Sequence, residues 1–173
     1  MNICGYYPES INEGEGLRAA LFVSGCRHYC KGCFSARTWN FSYGEPFTPE
    51  REQEIIRDIA GNPLLSGITI LGGDPFFSAA EVSLFIDHLR EAAPNISVWI
   101  YSGYTFEELI TNPSSEEYAL LTRCQVIIDG RFEQDLLDTS LLYRGSSNQR
   151  IIDIPASLQC GEVQLWSATT SFK

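Results

Sequence analysis

Long apolar runs are missing from this 173-residue chain. None approaches the ~18 residues that a membrane span needs. The opening residues, Met1 to Glu9, hold neither a basic n-region nor an apolar h-region, so no export signal is expected. Basic residues are scarce as well. Lys and Arg number 12 against 22 Asp and Glu, a formal net charge of −10, which argues against a general nucleic-acid or anionic-membrane binder. Internal repeats, low-complexity tracts and interdomain linkers are also lacking. What remains is ordinary globular usage, with 44% hydrophobic and 20% charged residues in a length typical of one domain. A single cytoplasmic domain over residues 1–173 is expected, with 151–173 as a candidate C-terminal extension.

Six cysteines are present: Cys4, Cys26, Cys30, Cys33, Cys124 and Cys160. Their even number would permit three disulfides. Nothing, however, directs the chain to an oxidising compartment, and a domain of this size needs no staples. Spacing says more than number. Cys26, Cys30 and Cys33 form C-x3-C-x2-C, which random placement would produce with a probability of roughly 0.4%. Clustered thiols in a reducing compartment point to zinc or to an iron–sulfur cluster. Structural zinc takes four ligands. Only three thiols are local, and His28 inside the loop is poorly placed to share their ion, so a fourth ligand must come from Cys4, Cys124 or Cys160. A [4Fe–4S] cluster on three thiolates would keep one iron open to a substrate. Otherwise Cys4, Cys124 and Cys160 read as buried small apolar residues.

Along the chain, short apolar runs alternate with longer amphipathic ones. Ala19 to Ser24, Gly67 to Leu71, Ile96 to Tyr101 and Cys124 to Ile128 read as strands. Pro49 opens a helix with Ile55, Ile56 and Ile59 on one face, and Val82, Phe85, Ile86 and Leu89 mark another. His88 flanks that second stripe as a surface residue. Phe106 to Leu121 reads as a helix broken at Asn112-Pro113. Arg150 to Ile154 and Glu162 to Trp166 are weaker strand candidates. Strand–helix alternation implies a parallel sheet with right-handed crossovers. A complete eightfold barrel takes ~250 residues, so the chain can supply part of one, or a small doubly wound sheet. Either way the loops after the strands share one face: the cysteine loop, Gly72-Gly73-Asp74-Pro75, Ser102-Gly103-Tyr104-Thr105 and Asp129-Gly130-Arg131.

That combination, C-x3-C-x2-C after a first strand and a Gly-Gly-acid turn after a second, resembles the radical S-adenosylmethionine superfamily. Further stretches are similar to the activating proteins of anaerobic ribonucleoside-triphosphate reductase, over most of residues 1–150. They are Leu21 to Cys26, Thr38-Trp39-Asn40, Tyr101 to Tyr104, Asp129 to Phe132 and Arg144 to Gln149. The expected fold is then α/β, an incomplete TIM-type barrel of βα units with a mainly parallel sheet.

The resemblance implies a [4Fe–4S] cluster on Cys26, Cys30 and Cys33, with S-adenosylmethionine as cosubstrate. Reductive cleavage would give methionine and a 5′-deoxyadenosyl radical, which takes a hydrogen atom from a glycine of the reductase large subunit. Reduced flavodoxin or a similar carrier would supply the electron. No catalytic side chain beyond the cluster is implied. For cosubstrate binding the resemblance points to Gly32, Cys33, Phe34, Gly72, Gly73, Asp74, Ser102, Asp129 and Arg131. Glycines let backbone approach a ligand, although Gly72 and Gly73 also suit a simple packing turn. Asp74 offers a carboxylate where the superfamily more often has Glu. Gly32 stands where many members carry an aromatic; here the ring follows at Phe34, to flank adenine or to join the core. Asp129 and Arg131 suit the zwitterionic end of the cosubstrate, or a surface ion pair. The donor-rich Arg144 to Arg150 segment suits either a grip or a turn. Rival readings are activation of another glycyl-radical enzyme such as pyruvate formate-lyase, a zinc-stabilised binding module, and an iron–sulfur electron carrier.

Charge segregation is independent of that likeness. From Leu17 to Gly44 there is no Asp or Glu, whereas Arg18, Arg27, Lys31 and Arg37 fall there. The cysteine loop is expected in a positive island that favours an anionic cluster and steers an acidic electron donor.

Overall fold

The computed structural model describes residues 1–168. β1 (Asn2–Ser10) and β2 (Arg18–Val23) form an antiparallel pair, and the two-residue β3 (Glu45–Pro46) lies outside β1. From β2 the sheet continues in parallel through β4 (Gly67–Gly72), β5 (Ser97–Tyr101) and β6 (Val126–Asp129). β7 (Arg150–Asp153) closes the far side antiparallel to β6. The result is an α/β fold on one mixed seven-stranded sheet, in the order β3-β1-β2-β4-β5-β6-β7.

Helices occupy the crossovers. α1 (Pro49–Gly61) begins where Thr48 Oγ1 accepts the Arg51 N–H at 3.3 Å, with Pro49 pre-set for the first turn and Glu50 and Glu52 complementing the helix dipole. Its Ile55, Ile56 and Ile59 and the Val82, Phe85, Ile86 and Leu89 of α2 (Ala79–Ala92) are buried, as their spacing predicts. The expected broken helix is α3 (Phe106–Leu109) and α4 (Glu116–Leu121), parted around Asn112-Pro113. These stripes meet Leu21, Ile68, Ile70, Val98, Ile100 and Ile127 in one core. Alternation then sends Trp99, Val126 and Ile128 to the other face, where Tyr101, Tyr143, Ile151 and Trp166 pack on them.

Several elements depart from expectation. β1 has no clean alternation, because Gly5 and Pro8 interrupt it and its pairing with β2 shifts register twice. Residues 154–160 form the unanticipated α5 (Ile154–Cys160), whose N-cap Asp153 accepts the Ala156 N–H at 2.9 Å. Glu162 to Trp166 contributes only a single bridge, Leu165 to Ile152, with Trp166 stacked 5.0 Å from Trp99. The chain after β6 therefore stays on the domain through β7, Ile154, Leu158 and Trp166, and the end of the expected extension, 169–173, lies outside the described residues. No helix among the described residues is long and apolar enough to cross a membrane.

Candidate functional site

Where β2 ends, the chain turns through Ser24 and Gly25 into the cysteine loop. The Gly25 N–H donates to Thr38 O at 2.7 Å and the Cys26 N–H to Trp39 O at 3.3 Å, so the loop's root is held by its own return segment. Farther along, the Cys33 N–H donates to Cys30 O at 3.1 Å. Tyr29 and Gly32 adopt left-handed backbone, with φ of 51° and 76°.

A cavity of about 240 Å³ opens over this loop. Cys26, Cys30, Cys33, Phe34, Gly72, Gly73 and Ser102 all line it, so strand-end loops from β2, β4 and β5 converge as the topology predicts. Burial pushes the Cys26 thiol up to about 11, against a lowering N–H bond from His28. Cys30 is likewise raised by burial, while the Phe132 N–H and the Arg131 charge pull the other way. Buried thiols of this kind become thiolates only against a compensating cation, which is what metal ligation supplies. Three thiols bordering one cavity are a donor set that an iron–sulfur cluster or another thiolate-bound metal could use.

Four of the expected binding residues do not line this cavity. Gly32 does not line the cavity; an added Cβ there would come within 2.9 Å of the Gln134 side chain. Asp74 is buried and its oxygens are filled from within the protein: Oδ2 accepts from His28 Nε2 at 2.7 Å and from Ser102 Oγ and the Gly103 N–H at 2.9 Å, and Oδ1 accepts the Phe76 N–H. Asp129 is also buried, gripped by the Arg150 guanidinium and the Phe106 N–H. It lines a neighbouring groove with the exposed Arg131, and the two form no ion pair. Phe34 is not core: it is 73% exposed at the rim and packs on Phe132 at 5.3 Å.

The glycines at the β4 exit have two tasks. Gly72 (φ 115°) lies where a Cβ would meet Val23 O at 2.5 Å, and a Cβ on Gly73 would meet Gly25 O at 2.5 Å. Both therefore press main chain against main chain while lining the cavity.

Residues outside the expected cosubstrate-binding set also reach the cavity: His28, Tyr101, Gly130, Phe132, Gly145 and Gln149. Gln149 turns the donor-rich segment into a tight loop, its Oε1 accepting the Gly145 and Ser146 N–H groups and its Nε2 donating to Gly130 O. The run of Gly, Ser, Asn and Gln was the available signal for this turn.

Comparison with known sequences decides the family. The model of the 4Fe-4S single cluster domain family matches residues 12–152. The chain is 40% identical over 154 residues to the anaerobic ribonucleoside-triphosphate reductase-activating protein of Pasteurella multocida, covering 87% of this chain and 96% of that one. Its namesake in Escherichia coli K12 is 38% identical over 152 residues (86% and 96%), and that of bacteriophage T4 is 35% identical over 153 (87% and 93%). The chain belongs to the anaerobic ribonucleoside-triphosphate reductase-activating protein family.

In this activating-protein fold the positive island is smaller than the sequence suggested. Arg18 starts β2, at the opposite end of the strand from the cysteines. It is buried, with Nε donating to Thr69 and Nη2 to the carbonyls of Ile68 and Ser97, and its guanidinium lies 5.0 Å from the Trp99 ring. Desolvation lowers it to about 10. Arg27, Lys31 and Arg37 remain exposed, and Arg27 lies over Phe41 at 5.3 Å. The remaining thiols of this family member are spread out. Cys124 is buried, Cys4 is half-buried, and Cys160 is exposed, because it ends α5 beside the left-handed Gly161. His88, half-exposed, pairs with Glu52 at 2.7 Å.

Proposed function

We propose that this protein activates anaerobic ribonucleoside-triphosphate reductase by installing a glycyl radical on its large subunit, with S-adenosylmethionine cleaved to methionine and 5′-deoxyadenosine. One observation carries the reading: the three thiols of C-x3-C-x2-C border a single cavity at the carboxyl ends of parallel strands, and Cys4, Cys124 and Cys160 do not line it. Cys26, Cys30 and Cys33 would hold the [4Fe–4S] cluster, leaving one iron without a protein sulfur. Bound there, the cluster supplies the single electron that breaks the sulfonium bond and a Lewis-acidic iron for the amino-acid end of the cosubstrate.

The chain's own residues bind and orient. Gly72, Gly73 and Ser102 present main chain to the methionyl part, and Phe34 with Phe132 offers aromatic faces to a purine. The apolar lining from Phe22, Trp39 and Leu71 keeps water from a reactive fragment. Arg131 lends positive charge beside Cys30. An acidic donor such as reduced flavodoxin docks on Arg27, Lys31 and Arg37, and the acidic remainder of the chain disfavours nucleic acid and anionic membranes. We read the four parallel strands as an incomplete TIM-type barrel, the whole chain as one domain, and the compartment as the reducing cytoplasm.

The test is anaerobic reconstitution with iron and sulfide, followed by metal analysis, paramagnetic resonance with and without S-adenosylmethionine, and assay of 5′-deoxyadenosine. Four irons per chain, a cosubstrate-sensitive signal and product are expected. Cys26→Ala, Cys30→Ala and Cys33→Ala should each lose the cluster, whereas Cys4→Ala and Cys160→Ala keep it. Zinc bound in place of iron, or a cluster indifferent to the cosubstrate, would overturn the proposal.

A further inference from the structure

His28 lies between Cys26 and Cys30, yet its side chain is only 4% exposed. Its ring lies 4.6 Å from Tyr104, edge-on, and 5.2 Å from Phe77. Beneath it, Gly103 leaves no room for a Cβ, which would fall 2.4 Å from His28 Cδ2. Nε2 meets Asp74 Oδ2 at 2.7 Å, and that carboxylate also takes the Ser102 hydroxyl and the Gly103 and Phe76 N–H groups. Ser102 Oγ itself accepts from Tyr104 N, so its hydrogen goes to Asp74. Four donors fill the carboxylate's acceptor sites. Asp74 is therefore an acceptor only, and His28 Nε2 carries the hydrogen. One buried carboxylate thus ties together the loops that follow β2, β4 and β5.

Two observations show what the tie holds. Cys26, two residues before His28, is buried and lines the cavity together with Cys30 and Cys33. The next residue, Tyr29, has φ 51° although its ring is 63% exposed; a non-glycine residue pays about 1–2 kcal/mol there and stays only when its neighbours fix it.

We propose that His28 is a positioning residue: through Asp74 it locks the cysteine loop in the conformation that brings Cys26 and Cys30 to one cavity, and Asp74 serves this loop rather than the cosubstrate's ammonium group. The inference rests on the cluster reading above. Outer-shell partners that orient metal ligands both retain the metal and tune it. A slackened loop should then release iron faster and shift the reduction potential.

The test uses the full chain reconstituted anaerobically, as wild type, His28→Ala, His28→Gln, Asp74→Asn and the His28→Ala/Asp74→Asn double variant. Three quantities are read: iron loss to a chelator, the midpoint potential, and equilibrium binding of S-adenosylmethionine. His28→Ala and Asp74→Asn should lose iron about ten- to a hundred-fold faster, with a shifted potential. The double variant should be no worse than the poorer single one. His28→Gln, whose amide still donates to Asp74, should recover most of both properties. If His28→Ala does not fold, the contrast between His28→Gln and Asp74→Asn decides. The proposal fails if iron loss and potential match wild type throughout. It fails equally if Asp74→Asn weakens cosubstrate binding tenfold while leaving iron loss and potential untouched, since the carboxylate would then serve the cosubstrate. A wild-type chain that takes up no iron sinks the proposed function itself.

Discussion

Gly103→Ala isolates the packing under the cysteine loop without touching a cysteine. The backbone there needs no left-handed φ, so alanine itself is allowed and would stabilise by about 0.4–1 kcal/mol through the unfolded chain. The new methyl, however, lands 2.4 Å from His28 Cδ2 and 2.8 Å from Cγ and Nε2. The ring has nowhere to go, enclosed by Tyr104, Phe77 and the Asp74 bond. Overpacking of this kind costs about 1–3 kcal/mol, and pulling a buried donor off a carboxylate adds about 1–3 kcal/mol. The net loss is about 3 kcal/mol, or a fall in Tm of about 6–12 °C for a chain of this length. Gly61→Ala is the control: at the end of α1 its Cβ meets nothing within 4 Å, and it should hold or raise Tm. Unfolding of the full chain, followed by far-ultraviolet circular dichroism without oxygen, reads both. The reasoning is refuted if Gly103→Ala stays within 1 kcal/mol of Gly61→Ala, or costs as much in a His28→Ala background, where the ring it strikes is gone.

Two further outcomes follow from charge. Arg27→Glu with Lys31→Glu should slow cluster reduction by an acidic flavoprotein about tenfold at low salt while reduction by dithionite stays the same; equal flavoprotein rates would rule out docking on this surface. Glu107, bonded through both carboxylate oxygens to Arg150, has its carboxyl held below the usual range, chiefly by that bond. Because the folded-state value is the lower one, the pair stabilises above the unfolded carboxyl's ~4.3 and is lost as pH falls through the depressed value. Glu107→Gln, on an exposed pair, should cost at most about 1 kcal/mol at pH 7, and its stability curve should converge on wild type as pH falls below the ordinary carboxyl range. Curves that stay parallel throughout would contradict the assignment.

Much of the fold was legible because it is periodic. Ile55, Ile56 and Ile59 and the stripe from Val82 to Leu89 repeat at helical spacing, and buried parallel strands such as Ala19 to Val23 read as unbroken apolar runs. β1 was not legible, since Gly5 and Pro8 break its alternation, and α5 is too short to show a period. In the site, the cysteines announced themselves by spacing alone. The carboxylates were less legible. Asp74 and Asp129 follow strand ends, where a ligand contact is the natural reading, but their partners lie 46 and 21 residues away at His28 and Arg150. No local pattern encodes such pairings. Arg18 shows the same limit, because nearness in sequence to the cysteines concealed the length of β2 between them.

The root of the cysteine loop is a joint built from main chain. Gly25, Gly72 and Gly73 meet there, with the Gly73 N–H donating to Val23 O at 2.7 Å and the Asp74 N–H to Gly25 O at 2.8 Å. A seam without side chains has no rotamers to exchange and no methyl to trim, so natural variation has little with which to adjust its spacing. Divergence within the family should accumulate instead around the outer ring of Phe34, Phe132 and Gly145, where one side chain can be swapped for another while the anchorage below stays the same.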